Sequence, residues 1–162
     1  MVVDDVARRL EAPGWRVKDG ARQAHLAKHS LVLVEPLSYM NESGGPVRRI
    51  AKWWKTPRPQ ILVVSDDLDL PLGKLRMRAE GGSGGHNGLR SLIEELGGED
   101  FPRLRVGIGR GGDAIDHVLA PFGTNDLAVV GRALEVAAEG VIQWLELGTV
   151  AATQFVNSWR PA

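Results

Sequence analysis

At 162 residues, 43% hydrophobic and 25% charged, the chain has the make-up of one soluble globular domain with a full core. It has no cysteine, which excludes a disulfide framework, a thiolate metal site and a cysteine nucleophile. Twenty basic residues balance twenty acidic ones, so no net field draws the chain towards nucleic acid.

Val2–Leu10 places apolar residues at positions 2, 3, 6 and 10, the spacing of an amphipathic helix. Gln23–Ala27 and Leu31–Glu35 read as the two strands of a hairpin. Pro46–Trp54 reads as a helix that ends before Pro57 and Pro59, neither of which can continue it. Ile61–Val64 is a short, wholly apolar run, the pattern of a strand buried on both faces. Asp66 follows it, at the carboxyl end where open α/β sheets bind their ligands. Lys74–Arg78 alternates as a strand with one wet face does, and Arg103–Ile108 is a strand with alternating arginines. Between them, Gly88–Leu96 is a helix closed by Gly97. Asp126–Leu147 repeats apolar residues at 127, 130, 134, 137, 141 and 145, a long helix stopped by Gly148, and Thr149–Trp159 makes the last helix. The order α-β-β-α-β-β-α-β-α-α predicts a single α/β domain over residues 1–162, a twisted mixed β-sheet flanked by helices. No signal sequence and no apolar run of membrane-spanning length is read, so a cytoplasmic protein with no membrane role is expected.

Three segments stand out chemically. Gly81–Gly88 has five glycines in eight positions and delivers His86 and Asn87 to the start of a helix. Such a run suits a sharp turn or the close approach of something large. A phosphate cradle is one reading, but the Gly-Lys-Ser/Thr ending of a P-loop is missing. His86 and Asn87 can grip an ester, an amide or a ribose, or they can simply stabilise the loop. Asp66, Asp67 and Asp69 invite a metal, yet alternation in an extended chain puts Asp67 and Asp69 on a face that Asp66 does not share. No metal site is therefore expected; one carboxylate is better used to orient a histidine base. On this reading Asp67→Asn is close to neutral. Tyr39-Met40-Asn41 is either part of a binding site or an ordinary helix start. Charge is also uneven: Arg48, Arg49, Lys52, Lys55 and Arg58 form an acid-free run, with Lys74, Arg76, Arg78, Arg103, Arg105 and Arg110 further on. These make either a basic face or ordinary solvated surface.

Read together, Pro36-Leu37-Ser38-Tyr39-Met40-Asn41-Glu42-Ser43-Gly44, Asp66-Asp67-Leu68-Asp69-Leu70-Pro71, Gly84-Gly85-His86-Asn87-Gly88-Leu89 and Arg103-Leu104-Arg105-Val106-Gly107-Ile108-Gly109-Arg110 resemble the bacterial peptidyl-tRNA hydrolase family in order and spacing. Asp116–Phe122 fits as well, while Ser38 stands where the family usually has threonine and Gly111 where it often has proline. The resemblance implies hydrolysis of the ester between a peptide and the 3′ end of a tRNA, by a monomer that needs no metal or cofactor. It implies that Asp66 orients a general-base histidine and that Asn41 and Asn87 grip the substrate near the ester. Tyr39, Met40 and His86 line the substrate pocket, and Arg78 and Arg105 clamp the tRNA 5′-phosphate.

The family also has an opening strand, a Gly-Asn-Pro-Gly loop with a tyrosine, and an Arg-His-Asn sequence before its first helix. None of these occurs in the 162 residues, so the resemblance implies an N-terminally shortened version without the base histidine. His25, His29 and His117 do not lie in that motif, and His86 is the one candidate for a substitute base. Two other readings stay open: a non-catalytic RNA-binding relative that has lost the base, and a phosphate- or nucleotide-binding module built on the glycine loop.

Overall fold

The computed structural model of the chain describes residues 1–110 and 124–161, with side chains from 126 onward in the second stretch. The expectations placed on Gly111, His117 and Asp116–Phe122 lie outside the described residues. The chain divides into two compact units, one of Val3–Ile61 and Glu80–Phe101, the other of Met1–Val2, Leu62–Ala79 and Pro102–Ala162.

The first unit is built on helix α1 (Val2–Arg9), strands β1 (Arg16–Lys18), β2 (Ala21–Leu26) and β3 (Leu31–Pro36), and helices α2 (Gly44–Trp54) and α3 (Asn87–Leu96). The expected hairpin is present: β2 and β3 pair antiparallel from Ala21↔Pro36 to Leu26↔Leu31. A third strand, β1, adds to its outer edge, with Arg16 opposite Gln23. Only three residues long and exposed throughout, β1 has no apolar alternation to announce it. Helix α2 ends in a left-handed Lys55, and α3 ends at Gly97, whose φ of 78° suits glycine. Gly44 is buried where the two helices meet, and its N–H donates to Ser91 Oγ at 2.9 Å.

The second unit holds β4 (Val63–Asp67), β5 (Leu75–Arg78), β6 (Arg103–Gly107) and two helices, α4 (Thr124–Leu147) and α5 (Thr149–Ser158). The strand order is β4-β6-β5, with β4 parallel and β5 antiparallel to β6, so the sheet is mixed as expected. Strands were expected in one sheet; they form two of three strands each among the described residues. Nor is the apolar run at Ile61–Val64 a doubly buried strand. The strand starts at Val63, reaches through Asp66 to Asp67, is only half-buried, and lies at the edge of its sheet. Leu75, Met77, Leu104 and Val106 face a core completed by Ala133, Ala137, Val141, Ala152 and Val156. The buried stripe of α4 begins at Val130, since Leu127 is exposed. Asn157 ties α5 to β5, accepting from Met77 N–H at 2.8 Å and donating to Met77 O at 3.0 Å.

Candidate active site

In the β4-β6-β5 sheet, register sorts the charges. Arg76 stands opposite Arg105 and Arg78 opposite Arg103, so four arginines occupy one face. Directly paired residues share a face, and the other face carries the apolar core residues named above. Solvent access falls from edge to centre: Arg76 and Arg78 on β5 are exposed, Arg105 is half-buried and Arg103 is 1% exposed. The alternating arginines of β6 are therefore not a wet basic stripe, because β6 is the central strand. The basic surface of this sheet is β5.

Along β4 the same alternation applies. Ser65 pairs with Arg105 and so lies on the arginine face, while Asp66 pairs with Val106 and lies on the other. Asp67 returns to the arginine face, where its carboxylate is 3.5 Å from Arg105 Nη1 with both side chains largely buried. Its other oxygen accepts the Asp69 N–H at 2.8 Å. The expected opposition of Asp66 and Asp67 holds, but Asp67 is not an idle neighbour: it neutralises Arg105 and caps the turn that leaves the strand. Asp69 was expected to share the face of Asp67, but the strand ends at Asp67 and Asp69 instead accepts from Arg110 Nε at 2.7 Å. The three aspartates thus do not converge, and among the described residues no group of acids and histidines could hold a metal ion. Gly107 locks the loop after β4, since a Cβ there would overlap Pro71 O and stand 2.9 Å from Leu70 Cβ.

In the other unit, the chain after β3 turns through a short 3-10 segment, Met40–Glu42, before α2. Ser38 and Ser43 hydroxyls bind the Glu42 and Met40 carbonyls and hold this turn. It leans on the start of α3: a Cβ on Gly88 would sit 2.7 Å from Met40 Sδ and 2.9 Å from His86 Cε1. Absence of a side chain at Gly88 therefore lets Met40 and His86 come together. His86 is the N-cap of α3, and its Nδ1 accepts the Leu89 N–H at 3.1 Å. The loop-stabilising role is thus realised at Nδ1. Gly81, Gly84 and Gly85 take φ of 148°, 57° and 82°, so backbone conformation accounts for three of the five glycines in the run.

Asn87 is exposed, as are Asn41, Met40 and above all Tyr39, at 81%. Asn41 also lines a pocket of about 500 Å³, together with Gly20, Leu37, Ser38, Arg49 and Glu94. Tyr39, Met40, His86 and Asn87 are not in its wall. Sequence reasoning missed Ser91, which anchors Gly44 and so sets the spacing of α2 and α3 beneath these residues. Nothing in the local pattern of α3 marks it.

Across its whole length, residues 1–162, the sequence matches the profile described as Peptidyl-tRNA hydrolase. The chain belongs to the peptidyl-tRNA hydrolase family. It is 44% identical over 165 aligned residues to the peptidyl-tRNA hydrolase of Symbiobacterium thermophilum, covering 98% of this chain and 87% of that protein. The enzyme from Syntrophomonas wolfei is 42% identical, over 96% of this chain and 87% of its own. The crystal structure of peptidyl-tRNA hydrolase from Acinetobacter baumannii superposes with a TM-score of 0.90 at 28% identity, over 99% of this chain and 85% of that one. The single-domain α/β class, with mixed strand pairing and flanking helices, is the fold of these peptidyl-tRNA hydrolases.

Proposed function

We propose that this chain hydrolyses the ester between a peptide and tRNA, returning tRNA to translation in the cytoplasm as a monomer that uses no metal or cofactor. The observation that carries the reading is the sorting of charge across the β4-β6-β5 sheet of a peptidyl-tRNA hydrolase family member. Arginines occupy one face and Asp66 the other. The exposed arginines of β5 are open to phosphate, and Asp66, near the carboxyl end of β4, does not share their face. Arg78 is exposed and takes the tRNA 5′-phosphate, while Arg105, diagonal to it on the neighbouring strand and held by Asp67, supports it from the same face. Phosphate contacts of this kind fix register on the RNA and make affinity salt-dependent.

In the reaction a water oxygen adds to the ester carbonyl as a histidine removes its proton. Collapse of the tetrahedral intermediate breaks the bond to the ribose 3′-oxygen, which takes a proton and leaves as tRNA, while the peptide leaves as its carboxylic acid. Asp66 fixes the tautomer of that histidine and stabilises the imidazolium. Asn41 and Asn87 hold the substrate near the ester, and Tyr39, Met40 and His86 present the surface for the peptidyl end. We assign the base to the Arg-His-Asn segment of the family, a sequence that the 162 residues do not contain. Two of the chain's own histidines are otherwise engaged. His25 lies 3.2 Å from Gln23 Oε1 and edge-on to Trp54, and His86 caps α3. A non-catalytic RNA-binding relative is the less favoured reading, because relatives 40–44% identical bear the enzyme's name.

Release of a labelled N-acyl amino acid from tRNA tests this, with the chain alone and with a version extended by the family's N-terminal segment. The extended version should be faster by about 10²–10⁴-fold, the usual contribution of a general base. Within it, Asp66→Asn should lower kcat by more than about tenfold at nearly unchanged KM, whereas Asn87→Ala should raise KM. Equal rates with and without the extension would move the base to His86. Intact tRNA binding with no hydrolysis by either version would favour the non-catalytic relative.

A further inference from the structure

The acid-free run along and just after α2 is only partly spent on structure. Arg48 pairs with Glu95 at 3.3 Å, and Arg58 pairs with Asp100. What remains is the last turn, Lys52-Trp53-Trp54-Lys55, in which all four residues are exposed, Trp53 by 74% and Trp54 by 48%. Two adjacent tryptophans in water are unusual for a surface that meets nothing. Each also has a neighbour on the β1-β2-β3 sheet. Lys18 Nζ lies 5.5 Å from the centre of the Trp53 ring, and the His25 ring meets Trp54 edge-on at 5.3 Å. Register puts Arg16, Lys18 and His25 on the same face of the β1-β2-β3 sheet. Arg49 reaches that side as well, donating to the Asp19 backbone carbonyl at 3.0 Å.

We infer that Trp53 and Trp54, framed by Arg16, Lys18, Arg49, Lys52 and Lys55, form a platform for unpaired nucleotides of RNA. Indole faces stack bases without regard to sequence, and surrounding cations follow the phosphates between them. The charge selects this occupant over a second copy of the chain. A two-fold dimer through the patch would set five cations against the same five, with Asp19 the one carboxylate on the β1–β2 turn to relieve them. The platform shares with the proposed function only its class of partner, and its test involves no ester.

Binding of a single-stranded RNA of about 12 nucleotides, and of uncharged tRNA, should be measured by fluorescence anisotropy at several salt concentrations. Trp53→Ala should weaken binding of the single-stranded RNA by about fivefold to a hundredfold, the range for one stacked base, while Trp53→Tyr keeps most of it. That pairing separates stacking from structural damage, and circular dichroism of both variants checks the fold. Changing Lys18, Lys52 and Lys55 together to Gln should lower the salt slope by about two, at roughly 0.7 per single-strand contact. Unchanged affinity in Trp53→Ala would overturn the inference, whatever the chain does to peptidyl-tRNA. So would sedimentation showing a dimer that Trp53→Ala dissolves while RNA affinity stays constant. Failure of hydrolysis with the Trp53 effect intact would sink the proposed function and leave the platform standing.

Discussion

Gly44→Ala tests whether close approach of α2 and α3 sets up the Asn41 and Asn87 segments. The added Cβ would overlap the Ser91 carbonyl oxygen, stand 2.6 Å from its carbon and lie 2.9 Å from Glu95 Cβ. Two of those atoms are backbone, so the strain cannot be relieved by turning a side chain. Either the helices part or Ser91 gives up its bond to the Gly44 N–H, leaving a buried donor unmatched. Overpacking costs about 1–3 kcal/mol and an orphaned buried donor a similar amount, against which alanine's helix preference returns at most about 1. With one or the other cost incurred, the net loss should be about 1–2 kcal/mol. With a urea slope of about 2 kcal/mol per molar, the midpoint should fall by about 0.5–1 M. Gly45→Ala is the matched control, because its Cβ would meet nothing nearer than Arg49 Nη1 at 3.5 Å. It should be neutral or slightly stabilising. Equal midpoints for the two variants would refute the argument that Gly44 is a contact point rather than a helix-start residue. Hydrolysis by the extended enzyme should fall with Gly44→Ala at temperatures where the fold is intact, because the Met40–Glu42 turn rests on α3.

Asp67→Asn keeps the acceptor for the Asp69 N–H but removes the charge facing Arg105, so it should cost about 1–3 kcal/mol in urea melts. A change below about 0.5 kcal/mol would show that the pair is incidental. Arg78→Ala should leave stability within about 0.5 kcal/mol, as exposed substitutions do, while lowering the salt slope of tRNA binding by about one. Arg105→Ala should lower both, since it also strips Asp67 of its partner. Acid melts give a further test. The Arg22 guanidinium, 2.6 Å away, is the main cause holding the Asp4 carboxyl below its ordinary value. A lowered folded pKa contributes stability above the unfolded value and loses it as pH falls through the folded one. Asp4→Asn should therefore be less stable than the unaltered chain at pH 7, and the gap should close as pH falls below the ordinary carboxylate value and through the lowered folded one. A gap that persists there would mean that the Asp4 effect is not electrostatic.

Helices and their ends were legible because they are local. The stripe of α1, the Gly97 stop of α3 and the Gly148 stop between α4 and α5 follow from periodicity and backbone conformation within a few residues. So were the segments that carry the family likeness and the opposite directions of Asp66 and Asp67, which need only the two-residue repeat of a strand. Strand β1 and the true extent of β4 were not, because neither its exposed three residues nor a run ending in two aspartates has an apolar signature. Tertiary structure alone decided what each charge is worth. Arg76, Arg78, Arg103 and Arg105 read alike along the chain, yet edge or central position in the sheet exposes the first two, half-buries Arg105 and buries Arg103. It also decided that Asp67 neutralises Arg105, that Ser91 receives Gly44, and that Trp53 and Trp54 meet Lys18 and His25. These are contacts between residues distant in sequence, and a chain's own order holds no measure of such distances until the sheets and helices have brought them together.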